Sequence, residues 1–201
     1  LTRGELVDMA LRLGGALRAR GLQAGDPIAF QLPNWWEACV INMAAALFGH
    51  PVVPLLPIYR AAELGLILPA CGVQAIFIPA IPDKADHRAM IAALPHVPRL
   101  IVGLRGDSGP EGFDAMLAHA PATPEIAAPT DAKMILFTSG STGRPKGVIH
   151  THCSVDAAVR RATAFWGFGA DDVLYVPSPI GHIGGSIYAF EFPWIAGCRA
   201  I

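Results

Sequence analysis

Charge is scarce in this chain. Its 201 residues hold 15 lysines and arginines against 16 aspartates and glutamates, a net charge of −1 and a charged fraction of 15%. About 25% is usual for a soluble domain, so part of this surface is expected to be covered by more protein. With no excess of cations, composition gives no electrostatic case for binding nucleic acid or an anionic membrane. Cysteine is sparse too. Cys39, Cys71, Cys153 and Cys198 lie far apart with no CxxC pair, which argues against a zinc site or a disulfide framework and fits a reducing cytoplasm. Uninterrupted hydrophobic runs are also missing. A spanning helix needs roughly 20 continuous apolar residues. The apolar stretch 38–58 is broken by Asn42, His50, Pro51, Pro54 and Pro57, and the stretch 64–81 by Pro69, Gly72, Gln74 and Pro79. No membrane span is expected. Arg3, Glu5 and Asp8 leave no apolar signal core at the start. No GxGxxG follows the first strand-like segment, which sets aside a dinucleotide-dependent oxidoreductase.

What the chain does have is a regular alternation of helical and strand patterns. Thr2 and Glu5 have capping-box spacing, and Leu6, Met9, Leu13 and Leu17 recur at helical intervals until Gly21. "IAFQL" reads as a short buried strand. Asn34 and Glu37 repeat the cap spacing and open a helix to about Phe48. "VVPLL" is strand-like, with Pro54 marking an edge or a strand end. A helix over 60–68, the strand "AIFIP", a helix over 85–94 and the strand "RLIVG" follow. "GLRGDSGPEG" reads as a loop and "PATPEIAAPTD" as a connector. Then come "KMILF", a small-residue loop, "GVIH", a helix over 151–165, a buried strand at "DVLYVPS" and a glycine-rich turn at "GHIGGS". This alternation implies an α/β fold, layered, with mostly parallel sheets and flanking helices. The organisation expected is a first α/β portion at 1–120, a connector at 121–131 and a loop-bearing portion of the same domain at 132–201. Trp35, Trp36, Trp166 and Trp194 are assigned to core packing. His150, His152 and Cys153 read as ordinary residues at a strand-to-helix junction.

The loop after "KMILF" reads TSGSTGRPKG, Thr138 to Gly147. Three glycines let backbone N–H groups approach a ligand closely. Successive N–H groups form an anion-binding concavity. Thr138, Ser139, Ser141 and Thr142 add hydroxyls, and Lys146 adds a point charge suited to a phosphate oxygen. The composition fits a polyphosphate. It is not the P-loop pattern G-x-x-x-x-G-K-[ST]: Lys146 follows Pro145, and Gly147 stands where a metal-binding hydroxyl should be. A plain surface turn with a solvated lysine would explain any one of these residues, but not all ten in succession.

TSGSTGRPKG resembles, at every position, the signature loop of the adenylate-forming enzymes: acyl-CoA synthetases, peptide-synthetase adenylation domains and luciferases. "LTRGELVDMALRLGGALRARGLQAGDPIAFQLPN" resembles that family's opening helix and strand, "AALFGHPVVPLLPIYR" its second core block, and "PSPIGHIGG" its fourth motif. The "SPxGH" form is similar to the branch around cyclohexanecarboxylate and medium-chain acyl-CoA ligases. The resemblance implies a place in the family's large N-terminal domain. The family's later motifs, among them a ribose-binding aspartate and a C-terminal lysine, are not found before Ile201. The chain by itself is therefore expected to be inactive, and its uncovered edge to favour a homo-oligomer.

The resemblance also implies the chemistry. A carboxylic acid attacks the α-phosphate of ATP to give acyl-AMP and pyrophosphate, and the thiol of coenzyme A then takes the acyl group. The implied nucleotide-binding residues are Thr138, Ser139, Gly140, Ser141, Thr142, Gly143, Lys146 and Gly147. Lys146 neutralises the leaving phosphates, and Thr138 or Ser139 faces Mg2+ or a γ-oxygen. His182 walls the acyl pocket, with Gly184 and Gly185 leaving room for the acyl chain. Lys146 and His182 are the implied catalytic residues. The alternatives are an acyl-AMP ligase serving a carrier protein, and a non-catalytic nucleotide-binding or assembly module.

Overall fold

In the computed structural model, residues 1–81, 85–138 and 145–201 are described. The chain opens with helix α1 (Arg3–Ala19), whose Thr2 N-cap forms the expected reciprocal box. Glu5 N donates to Thr2 Oγ1 at 3.2 Å, and Thr2 N donates to Glu5 Oε2 at 2.8 Å. β1 (Ile28–Phe30), α2 (Glu37–Leu47), β2 (Val52–Pro54), α3 (Ala61–Cys71), β3 (Ala75–Pro79), α4 (His87–Ala92), β4 (Leu100–Leu104) and α5 (Phe113–Leu117) follow. Next come β5 (Ala132–Thr138), β6 (Lys146–Thr151) and α6 (His152–Trp166). The last elements are β7 (Val173–Leu174), α7 (Ile183–Ser186), a π-helical turn (Ile187–Glu191), α8 (Phe192–Ala196) and β8 (Arg199–Ala200).

Six strands form one sheet in the order β4-β3-β1-β2-β5-β6, and β7 and β8 form a separate pair. β4, β3, β1, β2 and β5 run parallel, whereas β6 returns antiparallel to β5. Helices cover both faces. Ile28, Phe30, Val52, Phe77 and Val102 pack under α1, α2 and α5. Ala29, Val53, Ile76 and Ile78 pack under α3 and α4. A strand buried on both sides reads as a continuous apolar run, which is why "IAF" and "AIFI" show no polar alternation.

Several expectations are corrected. Of the two readings of Pro54 the strand end holds and the edge does not: the proline is the last residue of β2, which lies between β1 and β5. Asn34 does not cap α2. Trp36 occupies the N-cap position without a side-chain bond, and the Asn34 amide is engaged elsewhere, as described below. The strand expected at "DVLYVPS" is only two residues long and is not buried: Val173 and Tyr175 are exposed. Pro177 and Pro179 have no N–H to continue a ladder. Of the tryptophans expected in the core, Trp35 packs against its main cluster. Trp36 and Trp166 are exposed, Trp166 stacking on Phe192 and Tyr188, while Trp35 carries the Arg105 guanidinium 4.0 Å from its ring centre. Helix α5 and the helical run after His182 had no strong periodic signal in the sequence. The Pro/Ala-rich stretch at 121–131 has no helix or strand, yet it is tied down. Ala122 N donates to Leu11 O and Glu125 N to Leu47 O.

Candidate functional site

In open parallel sheets ligands bind outside the carboxyl ends of the strands. Two segments of interest meet at that edge. The first is the β5–β6 connection. Thr138 ends β5 and Lys146 begins β6, and the two are register partners across the antiparallel ladder. Directly opposed residues project from the same face of a sheet, so the hydroxyl and the cation stand side by side where the loop begins and ends. Both are exposed. Among the described residues no ion pair involves Lys146. Gly147 lies opposite Phe137, and a Cβ there would meet the Phe137 ring at 3.2 Å. Close cross-strand packing thus accounts for this glycine. Ser139, Gly140, Ser141, Thr142 and Gly143 lie outside the described residues.

The second segment is the turn at 178–186. His182 is exposed and N-caps α7, its Nδ1 accepting from Gly184 N at 3.2 Å. That bond directs Nε2 away from the turn as the remaining ring nitrogen. The His182 carbonyl accepts from Ser186 N at 2.9 Å and from Ser186 Oγ at 3.1 Å. At Gly185 a Cβ would lie 2.1 Å from Pro179 O, so close backbone packing by itself requires a glycine there. At Gly184 only His182 Nδ1 is near, at 3.6 Å. Gly181 presses on the chain leaving β2, where a Cβ would meet Leu55 O at 2.6 Å. β2 and β5 are adjacent parallel strands, about 4.8 Å apart as in any sheet. The turn carrying His182 and the mouth formed by Thr138 and Lys146 therefore sit on neighbouring strand ends.

Behind these two segments lies a polar group that sequence reasoning missed. Lys133 on β5 pairs with Glu191 of the π-helical turn at 3.1 Å, with side chains only 9% and 14% exposed. Asn42 on α2 donates to the same Glu191 oxygen at 3.3 Å. Burial is the main cause that lowers the His152 pKa beside this pair, with the Lys133 charge adding to it. The signal was present: a lysine inside the otherwise apolar strand "AKMILF". A second ion pair braces the sheet edge. Arg105 grips buried Glu37 through two bonds of 2.6 and 2.9 Å and holds φ at +57° to do so. A cavity of about 770 Å³ lined by Trp36, Cys39, Asn42, Phe190 and Trp194 opens elsewhere, and neither Thr138, Lys146 nor His182 contributes to it. No group of three or more potential metal-ligating side chains occurs among the described residues. No helix there is long and apolar enough to cross a membrane.

A family model described as AMP-binding enzyme matches residues 1–201. The medium-chain fatty-acid–CoA ligase of Escherichia coli (strain K12) is 34% identical over 208 residues, taking in 100% of this chain and 37% of that protein. The chain thus spans little more than a third of that curated relative. The crystal structure of ATP-bound MatB from Rhodopseudomonas palustris matches with a TM-score of 0.83 at 29% identity, over 100% of this chain and 40% of the other. The inhibitor-bound N-terminal domain of FACL13 from Mycobacterium tuberculosis matches with a TM-score of 0.86 at 28% identity, over 100% of this chain and 50% of that one.

Proposed function

Because the chain belongs to the AMP-binding enzyme family, we propose that it is the phosphate- and acyl-facing part of an ATP-dependent carboxylate–CoA ligase. The observation that carries this reading is the pairing of Thr138 with Lys146 on the strand end beside β2, where the turn of His182 also packs. A carboxylate oxygen attacks the α-phosphorus of ATP. The bond from that phosphorus to the bridging oxygen of the β-phosphate breaks, and pyrophosphate leaves with the electron pair. A thiolate sulfur then attacks the acyl carbon, and AMP leaves.

The difficulty of the first step is charge, since an anion must approach a polyanion. Rate enhancement comes from positioning and from cations set where negative charge accumulates. Lys146 is assigned to the β- and γ-phosphates. Ser139, Gly140, Ser141, Thr142 and Gly143 are assigned to the same polyphosphate through hydroxyl and backbone N–H donors. Mg2+ characteristically binds through substrate phosphates and only one or two protein oxygens. The exposed Thr138 hydroxyl, where β5 ends, is assigned as the protein oxygen. When bound, the ion neutralises phosphate charge. His182 is assigned to the wall of the acyl site, and Gly184 to the space beside it. The 34% identity to a medium-chain fatty-acid–CoA ligase supports a medium-chain fatty acid as substrate.

The test uses the complete polypeptide with ATP, Mg2+ and a panel of carboxylic acids. Acid-dependent pyrophosphate release followed by thioester formation with coenzyme A supports the reading. Acyl-AMP that accumulates in the presence of coenzyme A moves the acceptor to a carrier-protein thiol. Nucleotide binding without acid-dependent release would leave a non-catalytic binding module.

A further inference from the structure

Asn34 is an exposed residue in the loop between β1 and α2, and its side chain is fully committed to a segment more than 140 positions away. Its Nδ2 donates to Val176 O at 3.0 Å and to Ser178 O at 2.9 Å. Its Oδ1 accepts from Ile180 N at 3.0 Å. The sequence explains why that segment needs outside help. "VPSPI" alternates proline with other residues, so Pro177 and Pro179 offer no N–H. Val176 and Ser178 each precede a proline and are pushed to extended backbone. In extended chain, residues two apart face the same way, which presents the carbonyls of 176 and 178 together. Two N–H donors on one nitrogen and an acceptor beside them match that pattern, and an amide side chain has both. Serine has one donor and aspartate none.

The segment so held leads directly to His182. His182 N donates to Pro179 O at 3.0 Å. Gly181 is pressed on the Leu55 backbone. From there the turn has two supports from the sheet edge: Asn34 from the end of β1, and Leu55 from the end of β2. Among the described residues, Asn34 is the one that supports it from the sheet edge through side-chain hydrogen bonds.

We propose that Asn34 is a positioning residue that sets the acyl-site wall by clamping the Val176–Ile180 segment ahead of His182. This rests on the assignment of His182 to the acyl side, and the experiment separates the two. Asn34→Ala, Asn34→Asp and His182→Ala are compared in the complete polypeptide by acid-dependent pyrophosphate release across straight, branched and cyclic acids. Exchange of the Ile180 amide is followed alongside. The expected fall in kcat/KM for the acid in Asn34→Ala is about tenfold, equivalent to about 1.4 kcal/mol. The acid ranking should change in the same sense as in His182→Ala, with the KM for ATP unchanged. Exchange at Ile180 should quicken in Asn34→Ala. In Asn34→Asp it should stay slow, because the acceptor is kept, while the acid ranking still shifts because both donors are lost. The aspartate variant carries the test if the alanine variant fails to fold. A shifted ranking in His182→Ala with none in either Asn34 variant would overturn the clamp and leave the wall intact. An unshifted ranking in His182→Ala would remove the wall assignment, and the positioning role with it, even if Ile180 exchange responds.

Discussion

Thr138 and Lys146 are direct partners across the β5–β6 ladder. A hydroxyl and a cation are thus set opposite each other by the ladder itself, where β5 ends and β6 begins. A P-loop reaches a similar end differently, running from a strand into a helix whose N-terminus faces the phosphates. Here the lysine stands on a strand. Its position is held by the antiparallel pairing, and Phe137 packs over Gly147 on the next rung. Lys133 lies on β5 five residues before Thr138, so the buried ion pair and Lys146 belong to two directly paired strands.

The Lys133–Glu191 pair yields a stability prediction. Removing one partner of a buried pair leaves an uncompensated charge, at a cost of about 3–5 kcal/mol. Lys133→Met should lower the unfolding free energy by that amount, seen as a lower denaturant midpoint at an unchanged m-value. Adding Glu191→Leu should recover most of the loss, because the stranded carboxylate is gone. Single and double variants whose losses simply add would show that the two side chains do not depend on each other.

Acid should destabilise the chain before its carboxylates titrate. Burial is the leading cause that lowers the pKa of His50, His87 and His152. Each therefore binds its proton more weakly in the folded state than in the unfolded one, where the value is about 6.5. The unfolded state binds more protons below that pH, so stability falls as pH drops through it. Glu5 and Glu63, whose values are lowered by hydrogen bonds, add their own loss only further down. Urea midpoints at pH 7.5 and 5.5 check this. A midpoint that is equal or higher at pH 5.5 would contradict it.

His182→Ala should act on the acid and leave ATP alone. The ranking of branched and cyclic acids against straight ones should change, with the KM for ATP within about twofold of the parent. A rise in the KM for ATP with an unchanged acid ranking would move His182 off the acyl side.

How much of this was legible in the sequence depends on the range over which each signal acts. Local signals worked. The Thr2–Glu5 box, the helix opening near Thr151 and the apolar strand segments all depend on neighbours a few residues away. Long-range consequences did not show. The spacing of Asn34 and Glu37 suits a helix cap, yet Asn34 bonds a segment beyond position 175 and Glu37 bonds Arg105. Nothing within either one's own window says so. The place of β2 inside the sheet, with a terminal proline, follows from the crossover order and not from its three residues. Gly185 looked like space for a ligand because a missing side chain leaves the same mark in a sequence whether a substrate or the Pro179 carbonyl fills the gap. The composition of the stretch from Thr138 to Gly147 was the strongest functional signal, since ten consecutive residues of small, hydroxyl and cationic type suit a polyphosphate.

The most direct test of the account is acid-dependent exchange of pyrophosphate into ATP by the complete polypeptide, with Lys146 intact and with Lys146→Ala. A charge-assisted hydrogen bond worth roughly 1.5–3 kcal/mol at the leaving phosphates corresponds to a loss of about ten- to several-hundred-fold. The account expects that loss in exchange for every acid that is a substrate, with the ranking of acids preserved. Exchange at the parent rate in Lys146→Ala would contradict it.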